Sequence, residues 1–442
     1  MATRTIAAAG GNFGVAATYD EVASPTSADD VVARGGGDSG NLTINSSVAC
    51  RSLDLTNYAA TLAYSGTNRV LSIGDASGGL LKLVAGMTVT LATAARIEFV
   101  STATGNAITT AGKTLRRVVF DGVGGSWLLQ DAMLCDGNAT LNNGTLDLNG
   151  NGLTCLGVVT GTGTKVLAMG SQTVTLTSTT APINNAVPTG LTITGTGTFH
   201  ISDTSAADKI ITGGGSTFPN LSFATGGAGA ANKITFADSS TFSRLIATGG
   251  GAKVLEFTDG TTQTLTGGAN AFPSGAAENL ITCQGTAAGG WTIHSTVDLS
   301  CDYISISRCS VTGGGKLYCG THSTDGGNND ANVIFTAPPP AIASIDPATG
   351  STAGGTAVTI TGTGFRDGLT VTFDGEAATD IVVVSDTTIT CTTPAGSAGD
   401  VDVVVTNDDA QADTLEGGFE YVASGSSAAV RSGVRVGLVV GL

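Results

Sequence analysis

From about Asn41 to Phe335 the chain repeats one pattern: four to seven residues with every second one apolar, then a cluster of Gly, Asn, Asp or Thr. NLTINSSVACRSLDL, LLKLVAGMTVTLATAARIEFVS, ATLNNGTLDLNGNGLTCL and KVLAMGSQTVTLTST all show it. Alternation puts one set of side chains on a single face of an extended strand, and the polar cluster turns the chain before the next strand. Strands this short cannot each bury a face alone. Stacking successive turns into a solenoid solves the problem, because each coil pairs its backbone with the coil before and the coil after it. The Thr- and Asn-rich stretches suit such a stack, where like side chains align in ladders and satisfy one another. Coils of roughly 20 to 25 residues make about a dozen turns, each advancing about 4.8 Å, a rod of around 60 Å. Stacked antiparallel sandwiches use the same strand texture, and periodicity leaves both arrangements open.

Composition agrees with an all-β class. Of 442 residues, 65 are glycine and only 12% are charged, while 41% are hydrophobic, enough for continuous cores. β-branched residues pack well on a pleated surface, and glycine supplies the backbone freedom that frequent turns require. The net charge of −16 opposes attraction to phosphate backbones, so nucleic acid is not an expected partner. No run of 18 apolar residues marks a spanning helix, so membrane insertion is not expected. The start MATRTIAAAGGNFG has no apolar core of signal-peptide length, which points to synthesis in a reducing cytoplasm. Cys50, Cys135, Cys155, Cys283, Cys301, Cys309, Cys319 and Cys391 contain no CxxC pair. They read as small buried hydrophobes before disulfides, and structural zinc is not expected.

Within the repeating region, STFPNLSF, STFSRLIA and NAFPSGAAENLI each set a phenylalanine near a short apolar strand. Phe218, Phe242 and Phe272 are expected to stack inside successive coils or to plug corners. An exposed aromatic platform for carbohydrate is the functional alternative, although Trp127 and Trp291 are the only tryptophans and lie far apart in sequence. The triple proline Pro338 to Pro340 stops strand pairing and starts a stiff linker. The expected organisation is an N-terminal attachment or capping segment over 1–40 and a solenoid body over 41–337. A second β domain follows over 338–423, then a linker and apolar tail over 424–442.

That second domain resembles the IPT/TIG family of immunoglobulin-like sandwiches. The resemblance rests on AIASIDPATGSTAGGTAVTITGTGFRDGLTVTFDGEAAT, with Ile345, Pro347, Gly350, the Gly354-Gly355-Thr356 turn, Val358, Ile360, Gly362, Gly364 and Phe365 in place. TTITCTTPAGSAGDVDVVVTN and GGFEYV complete it, with Pro394, Gly399 and Tyr421. It implies a two-sheet β-sandwich, and such modules serve as spacers, binders or dimerisation units. The body, through Pro25 to Val32 and Cys50 to Thr56, resembles more loosely the β-helical proteins of phages and some bacteria. It departs from them where GGNFGVAATYDE lacks the usual tryptophans, and again at Asn332-Val333. No catalytic or binding residue travels with either resemblance.

Several chemical motifs are near misses. TGNAITTAGKT has Ala107 where a phosphate-binding loop needs glycine. DLNGNG, from Asp147 to Gly152, opens like a calcium loop, yet Val158 stands at the position of the bidentate glutamate. GDSGN at Gly37 lacks the last glycine of a nucleophile elbow. His200, His294 and His322 have no metal-ligand spacing, although a Ser-His-Asp site could still assemble from distant positions. Asp238, Glu256, Asp259 and Glu278 are the acids a polysaccharide depolymerase would draw on, since glycan cleavage needs two facing carboxylates.

The expected function is therefore non-enzymatic and needs no cofactor: a structural component of a bacteriophage virion, either a fibre or a capsid or tail decoration protein. Its partners would be other virion proteins, with a homo-oligomer such as a trimer open. A host-surface glycan-binding adhesin is the alternative, and a tailspike depolymerase the third reading. The tail ends in alternating Val430, Val434, Val436, Leu438, Val440 and Leu442. An apolar strand without a partner invites pairing with another chain's sheet edge, so these residues are the candidate assembly contact, with folding back onto the sandwich the alternative.

Overall fold

The computed structural model describes residues 3–5, 11–12, 25–33 and 41–423, apart from 45, 65–67, 91, 93, 186–189, 204, 206, 225–231, 250–251 and 278. These fall into two compact units divided between Thr336 and Ala337. The protein is all-β, a β-solenoid of about twelve turns over residues 3–325 followed by an IPT/TIG β-domain. The stacked-sandwich alternative for the body is excluded, because among the described residues every strand pairing before residue 337 is parallel, apart from two isolated bridges.

Each turn feeds strands into parallel ladders. The first runs through Val48–Cys50, Val70–Ile73, Arg96–Phe99 and the start of Arg117–Leu129 to Ile281–Gly285 and Ile304–Ile306. The second begins at Thr3–Thr5, Asp30–Val32 and Ser52–Asp54. The third includes Met133–Cys135, Leu153–Cys155, Thr173–Leu176, Thr198–Ile201, Thr217–Phe223 and Ser240–Ala247. Long strands serve two ladders by bending at a corner: Arg117–Leu129 pairs with Arg96–Phe99 through its first residues and with Asn106–Thr109 through its last. Thr3–Thr5, Gly11–Asn12 and Asp30–Val32 already belong to the ladders, so the solenoid begins inside the segment expected to be a cap.

The period-2 pattern sends one column of side chains inward. Cys50, Ile73, Phe99, Phe120 and Leu141 occupy successive positions in register and are all buried. Rings stack as expected at Phe218 and Phe242, 5.4 Å apart and 19° from parallel. Phe272 instead stacks on Trp291, which lies against Phe257 at 3.8 Å. Each ring covers its neighbour where a methyl-sized gap would forfeit dispersion contacts. All three phenylalanines and both tryptophans are buried, which removes them as a carbohydrate platform.

Close approach of coils explains two glycines. A Cβ on Gly122 or Gly125 would stand 1.9 or 2.0 Å from the Ser101 carbonyl oxygen of the preceding coil. Some hydroxyls bond the backbone of the coil before rather than a like side chain. Thr177, Ser202 and Thr248 each donate both backbone N–H and hydroxyl to a carbonyl one coil back, on Cys155, Leu176 and Phe223. These hydroxyls reinforce the backbone ladder at strand ends, using the carbonyl's second lone pair.

The second unit packs a four-stranded sheet of Ala341–Asp346, Ala357–Thr363, Thr388–Thr392 and Thr379–Ser385 against a five-stranded one. The latter holds Thr349–Ser351, Ala412–Val422, Gly399–Thr406, Thr370–Phe373 and Glu376–Ala377. Ile360, Val371, Ile389, Val403 and Phe419 fill the space between, and Tyr421 donates its hydroxyl to the Pro394 carbonyl at 2.7 Å.

Candidate functional site

The acids singled out from sequence are spread over separate tasks. Asp238 accepts hydrogen bonds from the backbone N–H groups of Gly213 and Gly214, at 2.9 and 2.7 Å, and so holds the turn of the coil before it. Asp259 does the same for Ala287 and Gly289 of the next coil, at 3.0 and 2.6 Å. Glu256 sits on the outer face of the first ladder against Lys233 at 3.0 Å and the amide of Gln284 at 3.3 Å. Burial opposes its charge, but hydrogen bonds from Lys233, Gln284 and Thr235 and the Lys233 ammonium outweigh it and leave the carboxyl below the usual range. Glu278 lies outside the described residues. Other acids also close turns: Asp131, Asp330 and Asp325 bind the loop amides of Thr110, Asn332 and Gly327 in the same way.

The near-miss motifs are also turns and strands. Asn149 and Asn151 both donate their side-chain amides to the Leu129 carbonyl, and Asp147 accepts from the Asn149 N–H. Lys113 donates to the Ala85 carbonyl. Gly37 to Gly40 lie outside the described residues, as do Val430, Val434, Val436, Leu438, Val440 and Leu442. All eight cysteines are buried and form no disulfide, and burial raises the Cys155 thiol to about 12 and the Cys391 thiol to about 11. Among the described residues no three His, Cys, Asp or Glu side chains converge as a metal would require, and no helix is long and apolar enough to cross a membrane.

One irregular place among the described residues is where half the width of the third ladder breaks off. Arg244, Leu245, Ile246 and Ala247 pair with the preceding coil, but the following strand, Thr262–Leu265, reaches only Ser240, Thr241 and Phe242. A single 3-10 turn, Ala269–Ala271, stands beyond the unpaired half and touches both that strand and Leu299–Ser300. The mismatch opens a groove of about 300 Å³ lined by Arg244, Ile246, Asn270, Pro273, Ser274 and Ser300. Arg244 Nε donates to the Asn270 carbonyl at 3.2 Å, and Ser300 donates to Asn270 Oδ1 at 3.2 Å.

Beside it lies a pair that sequence spacing did not disclose. Asp302 Oδ2 is 2.8 Å from His322 Nδ1, and Asp302 Oδ1 accepts from the N–H groups of Tyr303 and His322. Tyr303 adopts a left-handed φ of 54° and its ring lies parallel to His322, 4.5 Å away. Non-glycine residues in this region cost energy and cluster at functional sites. The neighbouring serines are held elsewhere: Ser274 Oγ accepts from the Asp302 N–H, and Ser323 donates to Asp302. Neither is hydrogen-bonded to the imidazole, so among the described residues the Asp-His pair carries no bonded hydroxyl. His200 and His294 sit on the outer face against Ser222 and Thr312, and burial lowers the His200 pKa. The signal for the Asp-His pair is the coil period itself, one turn separating its members, and it is readable only once the coil boundaries are known.

Comparison with known families bears on the second unit. The family described as IPT/TIG domain matches residues 340–421, the span of the two packed sheets. The C-terminal unit is an IPT/TIG domain. Fibrocystin-L of Mus musculus is 47% identical over 60 residues, 14% of this chain and 1% of that protein. Fibrocystin-L of Homo sapiens is 40% identical over 74 residues, 17% of this chain and 2% of that protein. The chain thus spans only 1–2% of the length of these relatives. Among solved structures, the plexin A4 extracellular region is 29% identical, with a TM-score of 0.18, over 21% of this chain and 8% of that one. An auxiliary nutrient binding protein from Bacteroides ovatus is 27% identical, with a TM-score of 0.17, over 19% of this chain and 21% of that one.

Proposed function

We propose that this chain is a passive structural component of a bacteriophage particle, a fibre or a capsid or tail decoration protein whose solenoid carries and presents the IPT/TIG domain. The observation that carries this reading is the continuity of the stack. One continuous buried apolar core runs from Val31 to Val333, and several carboxylates along it hold turn amides. A rod of this construction resists bending because each coil is bonded to both neighbours, and it needs no bound group for stability. The phage assignment leans on the looser resemblance of the body, and the apolar tail from Val430 to Leu442 is the proposed attachment to a neighbouring subunit.

Protein identification on density-purified particles from the source culture tests the proposal. Recovery in fixed copy number per particle is expected, with loss on deleting Val434 to Leu442. Absence from the particles overturns the structural role, and unchanged incorporation of the truncated chain overturns the anchor. A glycan-binding role is the second reading, favoured by the polar groove at the broken ladder.

A further inference from the structure

The groove at the broken ladder combines features that a plain turn does not need. Arg244 uses Nε on the Asn270 carbonyl, which fixes the plane of its guanidinium, and no acid among the described residues pairs with it. Asn270, Ser274 and Ser300 add an amide and two hydroxyls, groups that both donate and accept. Gly275, next after Ser274, lies against Tyr303, and a Cβ built on it would stand 3.1 Å from Tyr303 Cβ. Tyr303 thus packs against the residue that follows Ser274, and its ring stacks on His322, whose side chain is 56% exposed. A cavity of about 300 Å³ lies at the lower end of ligand-site volumes, room for one or two sugar rings.

We propose that this groove binds a saccharide bearing a carboxylate, with Arg244 taking the carboxylate, Asn270, Ser274 and Ser300 the hydroxyls, and the Tyr303–His322 pair the apolar face of the ring. A planar guanidinium held at Nε presents its two Nη groups as a fork that matches a carboxylate. A polyol satisfies hydroxyl and amide partners that both give and take hydrogen bonds, and an aromatic face covers the C–H side of a pyranose. Bare phosphate would use the fork alone and leave the rest of the lining hydrated.

Titration calorimetry on the full chain tests this with 3′-sialyllactose, a glucuronate-containing tetrasaccharide, lactose and inorganic phosphate. Saturable binding is expected for at least one acidic saccharide, with lactose and phosphate at least about tenfold weaker. Arg244→Gln should reduce the acidic saccharide to the lactose level. Arg244→Lys, which keeps the charge but loses the fork, should fall nearly as far. Tyr303→Gly removes the ring while accommodating the left-handed backbone, and should weaken all sugars severalfold. An unchanged thermal transition in these variants shows that folding is intact. The proposal is overturned if neither acidic saccharide binds saturably, if lactose or phosphate binds as well as they do, or if folded Arg244→Gln and Arg244→Lys both retain wild-type affinity.

Discussion

In the solenoid Phe218 meets Phe242 one coil further along the chain, whereas in the sandwich Thr349 pairs with Glu420 across almost the whole domain. The coils are joined by parallel ladders between nearest neighbours, and the two sheets are closed around one shared core. Stability in the first is close to a sum over coils and their interfaces, while the second stands or falls as a unit. The solenoid can therefore tolerate an irregular coil, such as the one at Ala269–Ala271, without losing the rest of the stack. A sandwich of nine strands has no spare element to absorb such a break.

The same truncation applied to both regions sharpens this contrast most. Phe419→Ala and Phe218→Ala each remove a fully buried ring, at a cost of about 3–5 kcal/mol. Hydrogen exchange should show protection lost throughout 340–421 for Phe419→Ala, and lost only in the coils flanking residue 218 for Phe218→Ala. Loss across the whole solenoid in the second variant would contradict nearest-neighbour behaviour.

A smaller effect is expected inside one coil interface. Asn185, 1% exposed, accepts from the Thr160 hydroxyl and donates to the Gly213 carbonyl at 2.8 Å and to Ser216 Oγ at 2.7 Å, linking three coils. Asn185→Ala leaves those buried groups unpaired, and denaturant unfolding should show a loss of about 1–3 kcal/mol. The sandwich transition should not move.

The smallest effect is a pH dependence. The folded Glu256 carboxyl lies below its ordinary value, so its contribution is complete above about 4.5 and is lost as the pH falls through the folded value. Urea unfolding of wild type and Glu256→Gln should differ at pH 7, and the difference should shrink as the pH falls below about 4.5. A gap that stays constant would show that the Lys233 and Gln284 contacts do not depend on the charge.

Sequence alone disclosed the strand texture, because alternation at Val70–Ile73 or Lys253–Phe257 is local, and the glycines that mark the IPT/TIG turns sit at fixed places. It also disclosed the Phe218–Phe242 stack, whose two segments share the string STF. Coil phase was harder to read. Partners are 21 residues apart at Val118 and Ala139 but 28 apart at Leu255 and Cys283, so no single period aligns the turns. The contact between Asp302 and His322 across adjacent coils, and the groove at Arg244, follow from that phase and were hidden with it. Acids looked like chemistry because a turn-capping Asp and a catalytic one have the same letter; only the amides they hold distinguish them.

Everything rests on parallel coils advancing by one strand spacing each. Spin labels placed pairwise on the outer columns read this directly by pulsed dipolar spectroscopy. Thr217 and Thr312 are four steps apart through Thr241, Thr264 and His294. Thr114 and Ile246 are six steps apart through Leu134, Thr154, Thr175, His200 and Ser222. At about 4.8 Å per step, backbone separations of about 19 and 29 Å are predicted, growing in proportion to the number of coils. Distances that do not scale with coil count would contradict the stacked solenoid.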